Sequence, residues 1–145
     1  MPVRVYEING SDKAKMKKIL SYDPYLDSTV IPKDDNNTED IIKDQNAQEK
    51  ISKIEELKKN DPYFDIIFVR QEYILFDGSS ISLNPSKCYL YLKANEEFLA
   101  KAELKLKRLF PNIVRINKEA EEKVIEKVNE QQQKAESGFG FIFGN

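Results

Sequence analysis

Glu72-Tyr73-Ile74-Leu75-Phe76-Asp77-Gly78 and, ten residues on, Cys88-Tyr89-Leu90-Tyr91-Leu92-Lys93 are the stretches that decide the fold. Both are rich in β-branched and aromatic residues. The second alternates with period two, which puts Cys88, Leu90 and Leu92 on one face and Tyr89, Tyr91 and Lys93 on the other. Asp77-Gly78 is a hairpin signal, so Ser80-Ile81-Ser82-Leu83 reads as the return strand. Upstream, Phe64-Asp65-Ile66-Ile67-Phe68-Val69 is equally strand-prone. No turn chemistry separates it from Glu72, so one long strand is expected there.

Working outward, Asn95 caps a helix that opens on Glu96 and Glu97. Its apolar stripe is Phe98, Leu99, Ala102, Leu106 and Leu109, with Leu104 on the opposite side. Ile113-Val114-Arg115-Ile116 is a short strand. Asn117 caps a last helix with the stripe Ala120, Val124, Ile125 and Val128. That stripe stops at Gln131-Gln132-Gln133. At the other end, Val3-Arg4-Val5-Tyr6-Glu7-Ile8 is a strand. Ser11 caps a helix carrying Met16, Ile19 and Leu20, and Asp23-Pro24 ends it. Residues 22–45 form an inserted loop. Within it, 33–45 is expected to be mobile, because a polar run cannot offset the roughly 1–2 kcal/mol per residue of backbone ordering. A helix over 46–59, with Asn46 to Glu49 as its capping box, carries Ala47, Ile51, Ile54 and Leu57 on one face.

The element order condenses to strand, helix, strand, strand, helix, strand. It implies an α+β fold, a ferredoxin-like two-layer sandwich with an antiparallel sheet and helices on one face, plus the inserted loop and an extra C-terminal helix. The organisation read here is a single α+β domain over 1–136 and an aromatic docking tail over 137–145.

Composition narrows function by exclusion. The chain of 145 residues carries 23 Lys and Arg against 25 Asp and Glu, so it has no global pull on nucleic acid. There is no His, which removes the commonest general base and metal ligand. The glycines at 10, 78, 138, 140 and 144 build no phosphate loop, and no cofactor is expected. One cysteine, no signal-like N-terminus and no apolar run of membrane length point to a cytoplasmic protein without membrane partners.

The tail, Gly138-Phe139-Gly140-Phe141-Ile142-Phe143-Gly144, follows a charged helix. Each large apolar side chain gains roughly 1.5–3 kcal/mol on full burial, so Phe139, Phe141, Ile142 and Phe143 are expected to dock. The leading expectation is a non-catalytic, homo-oligomeric assembly or partner-binding module with the tail as anchor and Leu104 as a further contact. A second is RNA or ribosome binding. Val5 to Gly10 and Lys87 to Lys93 resemble the two short motifs of RNA-recognition-motif domains. The resemblance implies a stacking platform of Tyr6, Tyr89 and Tyr91 flanked by Lys87 and Lys93. Glu7 and Cys88 depart from that family's pattern. A third is a small metal-dependent enzyme using Asp65, Glu72 or Asp77; Asp61 reads as a turn residue. Cys88 reads as a core residue. In its low Arg, abundant Lys, Ile and Asn, and compact βα layout, the chain also resembles small uncharacterised archaeal proteins, a likeness that implies no activity.

Overall fold

A computed structural model of the chain describes residues 1–27 and 51–137. The expectations for residues 33–45, for the capping box at Asn46 and for the tail lie outside these residues. Strand β1 spans Val3–Asn9, and a 3₁₀ turn over Gly10–Asp12 leads into α1, Lys13–Ser21. Helix α2 occupies 51–60. Then come β2 (Glu72–Asp77), β3 (Lys87–Lys93), α3 (Glu96–Leu109), β4 (Val114–Arg115) and α4 (Lys118–Ser137). The strands form one antiparallel sheet in the order β2-β3-β1-β4, so the architecture is mixed α+β.

Register explains the core. Val3 lies opposite Lys93 and the pairing runs without a slip to Asn9 opposite Lys87. Tyr6 and Ile8 therefore share a face with Leu90, Leu92 and Cys88. On that face they meet Met16 and Leu20 of α1 and Leu99, Ala102 and Leu106 of α3. Val5, Tyr89 and Tyr91 occupy the reverse face, where Val124 and Val128 of α4 cover them. Helices thus lie on both faces of the sheet, and the C-terminal helix supplies the third layer. Asn95 and Asn117 cap as expected, accepting from the amides of Phe98 at 2.7 Å and Ala120 at 2.8 Å. Ser11 does not cap. It lies in the 3₁₀ turn, and α1 begins after Asp12 without a side-chain cap.

Two further expectations are corrected. Residues 64–69 are no strand; they run from a turn into a 3₁₀ turn over Phe68–Arg70. Phe64, Ile66, Ile67 and Phe68 are all buried. Their β-type side chains serve packing on an irregular path, which is what β-propensity largely measures. The Lys105 ammonium holds that path by donating to the Ile66 carbonyl at 2.9 Å. Ser80–Leu83 is likewise no return strand. After Asp77 the chain makes a 3₁₀ turn over Gly78–Ile81, passes through a left-handed Ser82 (φ 58°) and returns only at Lys87. Gly78 is needed for close approach: a Cβ there would lie 1.7 Å from the Asn84 carbonyl oxygen. In α2 the described part of the stripe lies outside both core clusters. Ile51 is exposed, and the half-buried Ile54 and Leu57 belong to neither core cluster. Among the described residues, no helix is long and apolar enough to cross a membrane.

Candidate functional site

The carboxylates singled out from the sequence do not gather. Asp61 pairs with Arg108 at 3.7 Å, Asp65 with Lys58 at 3.9 Å, Glu72 with Lys93 at 3.8 Å and Asp77 with Lys13 at 2.7 Å. Each thus has its own cation, and among the described residues no cluster of three metal-ligating side chains forms. Lys13 holds the Asp77 carboxyl below its ordinary range through a direct hydrogen bond. Cys88 is buried, and burial, with Asp77 3.7 Å from its sulfur, pushes the thiol up and away from thiolate chemistry.

The three tyrosines do not share a surface. Tyr6 faces α1 and α3, while Tyr89 and Tyr91 lie under α4, and all three are buried. The reason is parity: Tyr6 sits opposite Leu90, so the next residue, Glu7, faces Tyr89. The Tyr89 hydroxyl donates to Glu7 at 2.8 Å, and Tyr91 packs among the apolar side chains under α4. Lys87 reaches Asn9 and Lys93 reaches Glu72. The stacking platform implied by the RNA-recognition-motif resemblance is therefore not assembled from these side chains. Burial pushes the Tyr6 hydroxyl up to about 12, while Arg4 and Glu103 stand close enough to act on it without completing a hydrogen bond of good geometry.

What the fold does assemble lies at the α1 end of the molecule. After α1, Asp23 accepts from the Tyr25 amide at 2.9 Å and starts a 3₁₀ turn over Pro24–Leu26. Arg70 clamps that turn, reaching Asp23 at 3.1 Å while its guanidinium lies 5.1 Å from the Tyr25 ring centre. The clamp brings three apolar side chains to the surface around one groove of about 290 Å³: Tyr22 at 45% exposure, Leu26 at 71% and Val69 at 42%. The Tyr22 hydroxyl is anchored on Asp27 at 2.9 Å, so its ring is held in place. Leu104 is also exposed, on α3.

On the inner side of Tyr22 lies a cavity of about 330 Å³ between α1, the 61–66 segment and the second half of α3. Ile19, Phe64 and Leu109 supply apolar wall, and Lys18, Lys105 and Asp61 supply charge. Burial pushes the Lys105 ammonium down from its ordinary value, an effect that Asp61 and Asp65 partly oppose. Sequence reading missed both hollows. Their one local signal is Asp23-Pro24, a turn read there only as a helix end.

Comparison with protein-family models, with curated proteins and with solved structures finds no match to the chain.

Proposed function

We propose that the protein is a non-catalytic assembly or partner-binding module that self-associates, with Phe139, Phe141, Ile142 and Phe143 of one copy anchoring on another. The observation that carries this reading is the Tyr22–Leu26–Val69 groove together with the place where α4 leaves the sheet. Gln132 of α4 donates to Glu72 at 3.1 Å, three residues along the chain from Val69. From Gln132 to Ser137 the helix advances about 7.5 Å. Eight further residues span up to about 28 Å if extended. A tail of this length can reach the groove of its own copy, and seating on a second copy is the arrangement proposed. Closed symmetric exchange satisfies both copies at once. Leu104 offers a further apolar contact. The strand order β4-β1-β3-β2, with α1 and α3 in the two crossovers, supports a ferredoxin-like reading in which α4 is an addition on the second face.

Light scattering and thermal unfolding of the full chain, a chain ending at Gln133 and a Leu26→Asp variant test this. The expected result is a dimeric or larger full chain, with both variants monomeric and less stable. Identical mass and melting temperature in all three would refute the anchor. A truncated chain that loses stability but keeps the mass of the full chain would refute self-association through the tail.

A further inference from the structure

We propose that the cavity between α1 and α3 binds an apolar monocarboxylate, with its chain against Ile19, Phe64 and Leu109 and its carboxylate on Lys105. Size comes first. At about 330 Å³ the hollow falls at the low end of small-molecule sites, roughly 300–1,000 Å³. Taking about 30 Å³ per water-sized volume, it suits a ligand of about ten non-hydrogen atoms.

Charge selects the ligand's sign. An ammonium has three donors. Lys105 spends one on the Ile66 carbonyl at 2.9 Å, and its charge stands 5.7 Å from the Phe68 ring centre. No carboxylate lies within ion-pair distance of it among the described residues. Asp61, the acid on the cavity wall among the described residues, is already engaged: it accepts from the Tyr63 amide at 2.9 Å and pairs with Arg108 at 3.7 Å. Among the described residues Lys105 is therefore a half-buried cation with no carboxylate in ion-pair contact, Asp61 and Asp65 acting on it only from a distance. A carboxylate entering the cavity supplies that anion, and charge-assisted hydrogen bonds of this kind are the stronger class. Lys18, exposed in the last turn of α1, adds positive charge to the cavity lining.

The probe is octanoate, which has ten non-hydrogen atoms, compared with 1-octanol and octylammonium on the full chain. Amide chemical shifts map the site and give the affinities. Octanoate is expected to bind saturably, shifting Ile19, Phe64 and Lys105, at least tenfold tighter than either comparator. Lys105→Met, which keeps an unbranched stem, is expected to weaken octanoate at least tenfold and leave octanol unchanged. Should Lys105→Met fail to fold, Lys18→Met at an exposed position is expected to weaken octanoate severalfold without affecting octanol. No saturable shift at millimolar octanoate overturns the proposal. So does equal affinity for the three probes, or an affinity that neither lysine variant moves.

Discussion

Glu121 is the most consequential polar side chain in the described structure, and replacing it separates two roles. It is 6% exposed. Strand β4 pairs with Tyr6 and Glu7 of β1, and the Ile116 amide still donates to the Val5 carbonyl at 3.0 Å, but the Val5 N–H on that side meets no strand carbonyl. The Glu121 carboxylate takes over there: Oε2 accepts from the Val5 amide at 2.9 Å and from Arg115 Nε at 2.9 Å, and Oε1 accepts from the Arg115 guanidinium at 2.7 Å. Glu121→Ala leaves the Val5 amide without a partner, at about 1–3 kcal/mol. It also removes a forked Arg–carboxylate pair. Arg115 is 42% exposed and can rehydrate, so that loss falls below the 3–5 kcal/mol of a fully buried pair, at about 1 kcal/mol. The total is about 2–4 kcal/mol. Glu121→Gln can keep an oxygen for Val5 and Arg115 Nε but turns a donor toward the other Arg115 nitrogen, losing the charge and one acceptor, so about 1–2 kcal/mol is expected, still below the alanine variant because the Val5 amide stays paired. Urea unfolding followed by circular dichroism measures both, with the midpoint falling and the slope unchanged. Amide exchange at Val5 should accelerate in the alanine variant alone. If Glu121→Ala lies within about 0.5 kcal/mol of the parent, or Glu121→Gln costs as much as Glu121→Ala, the carboxylate does not complete the ladder.

Three other perturbations follow from the same geometry. Gly78→Ala forces a methyl to within 1.7 Å of a backbone oxygen, so a loss beyond the roughly 1–3 kcal/mol of ordinary overpacking is expected in denaturant unfolding. Tyr6→Phe deletes a buried hydroxyl that completes no hydrogen bond of good geometry but interacts with Arg4 and Glu103, so a change of less than about 1 kcal/mol is expected at neutral pH. That hydroxyl's value is raised from 10.0 to about 12, so the folded state holds the proton where the unfolded chain releases it. The parent's stability from this group is complete below pH 10 and is lost as pH climbs through 12. Two units are worth about 2.7 kcal/mol, reduced toward ~2 by solvent screening. Tyr6→Phe should flatten that alkaline decline, and an unchanged slope would count against the assignment. Asn95→Ala and Asn117→Ala each remove an observed cap and should cost about 1 kcal/mol in thermal or urea unfolding.

Elements governed by short-range chemistry were legible in the sequence. The period-two pattern of 88–93 separates the two faces of β3 correctly, because each face is buried against a different helix layer. Asn95 and Asn117 are legible because capping depends on neighbours three residues away. What was not legible depends on pairing at a distance. The strand-prone run at 64–69 finds no strand partner, and propensity does not say whether one exists. The face of Tyr6 depends on the register between β1 and β3, and a shift of one residue would place it with Tyr89 and Tyr91 instead. Glu121 reads as one more charge on a charged helix. Its role arises only from the shortness of β4. The groove and cavity need Tyr22 and Val69 brought together by Arg70 on Asp23, which no window of sequence contains.

These differences redirect where activity is to be sought. An antiparallel sheet with helices on one face leaves the other face for ligands. Here α4 spends that face on packing: Tyr89, Tyr91, Val124 and Val128 form a closed cluster, and the Tyr89 hydroxyl is satisfied by Glu7. Displacing α4 to expose the tyrosines would uncover six buried side chains, Val5 and Ile81 included. At roughly 1.5–3 kcal/mol for each large one, that exceeds the roughly 1–3 kcal/mol that stacking returns per base, unless several bases stack. The surface around Tyr22 asks for no such opening. Its apolar side chains are already exposed, its turn is clamped by an ion pair, and the cavity behind it holds Lys105, which makes no ion pair among the described residues. Occupation of this end of the molecule therefore costs no core, which is why both the docking groove and the carboxylate site are placed there.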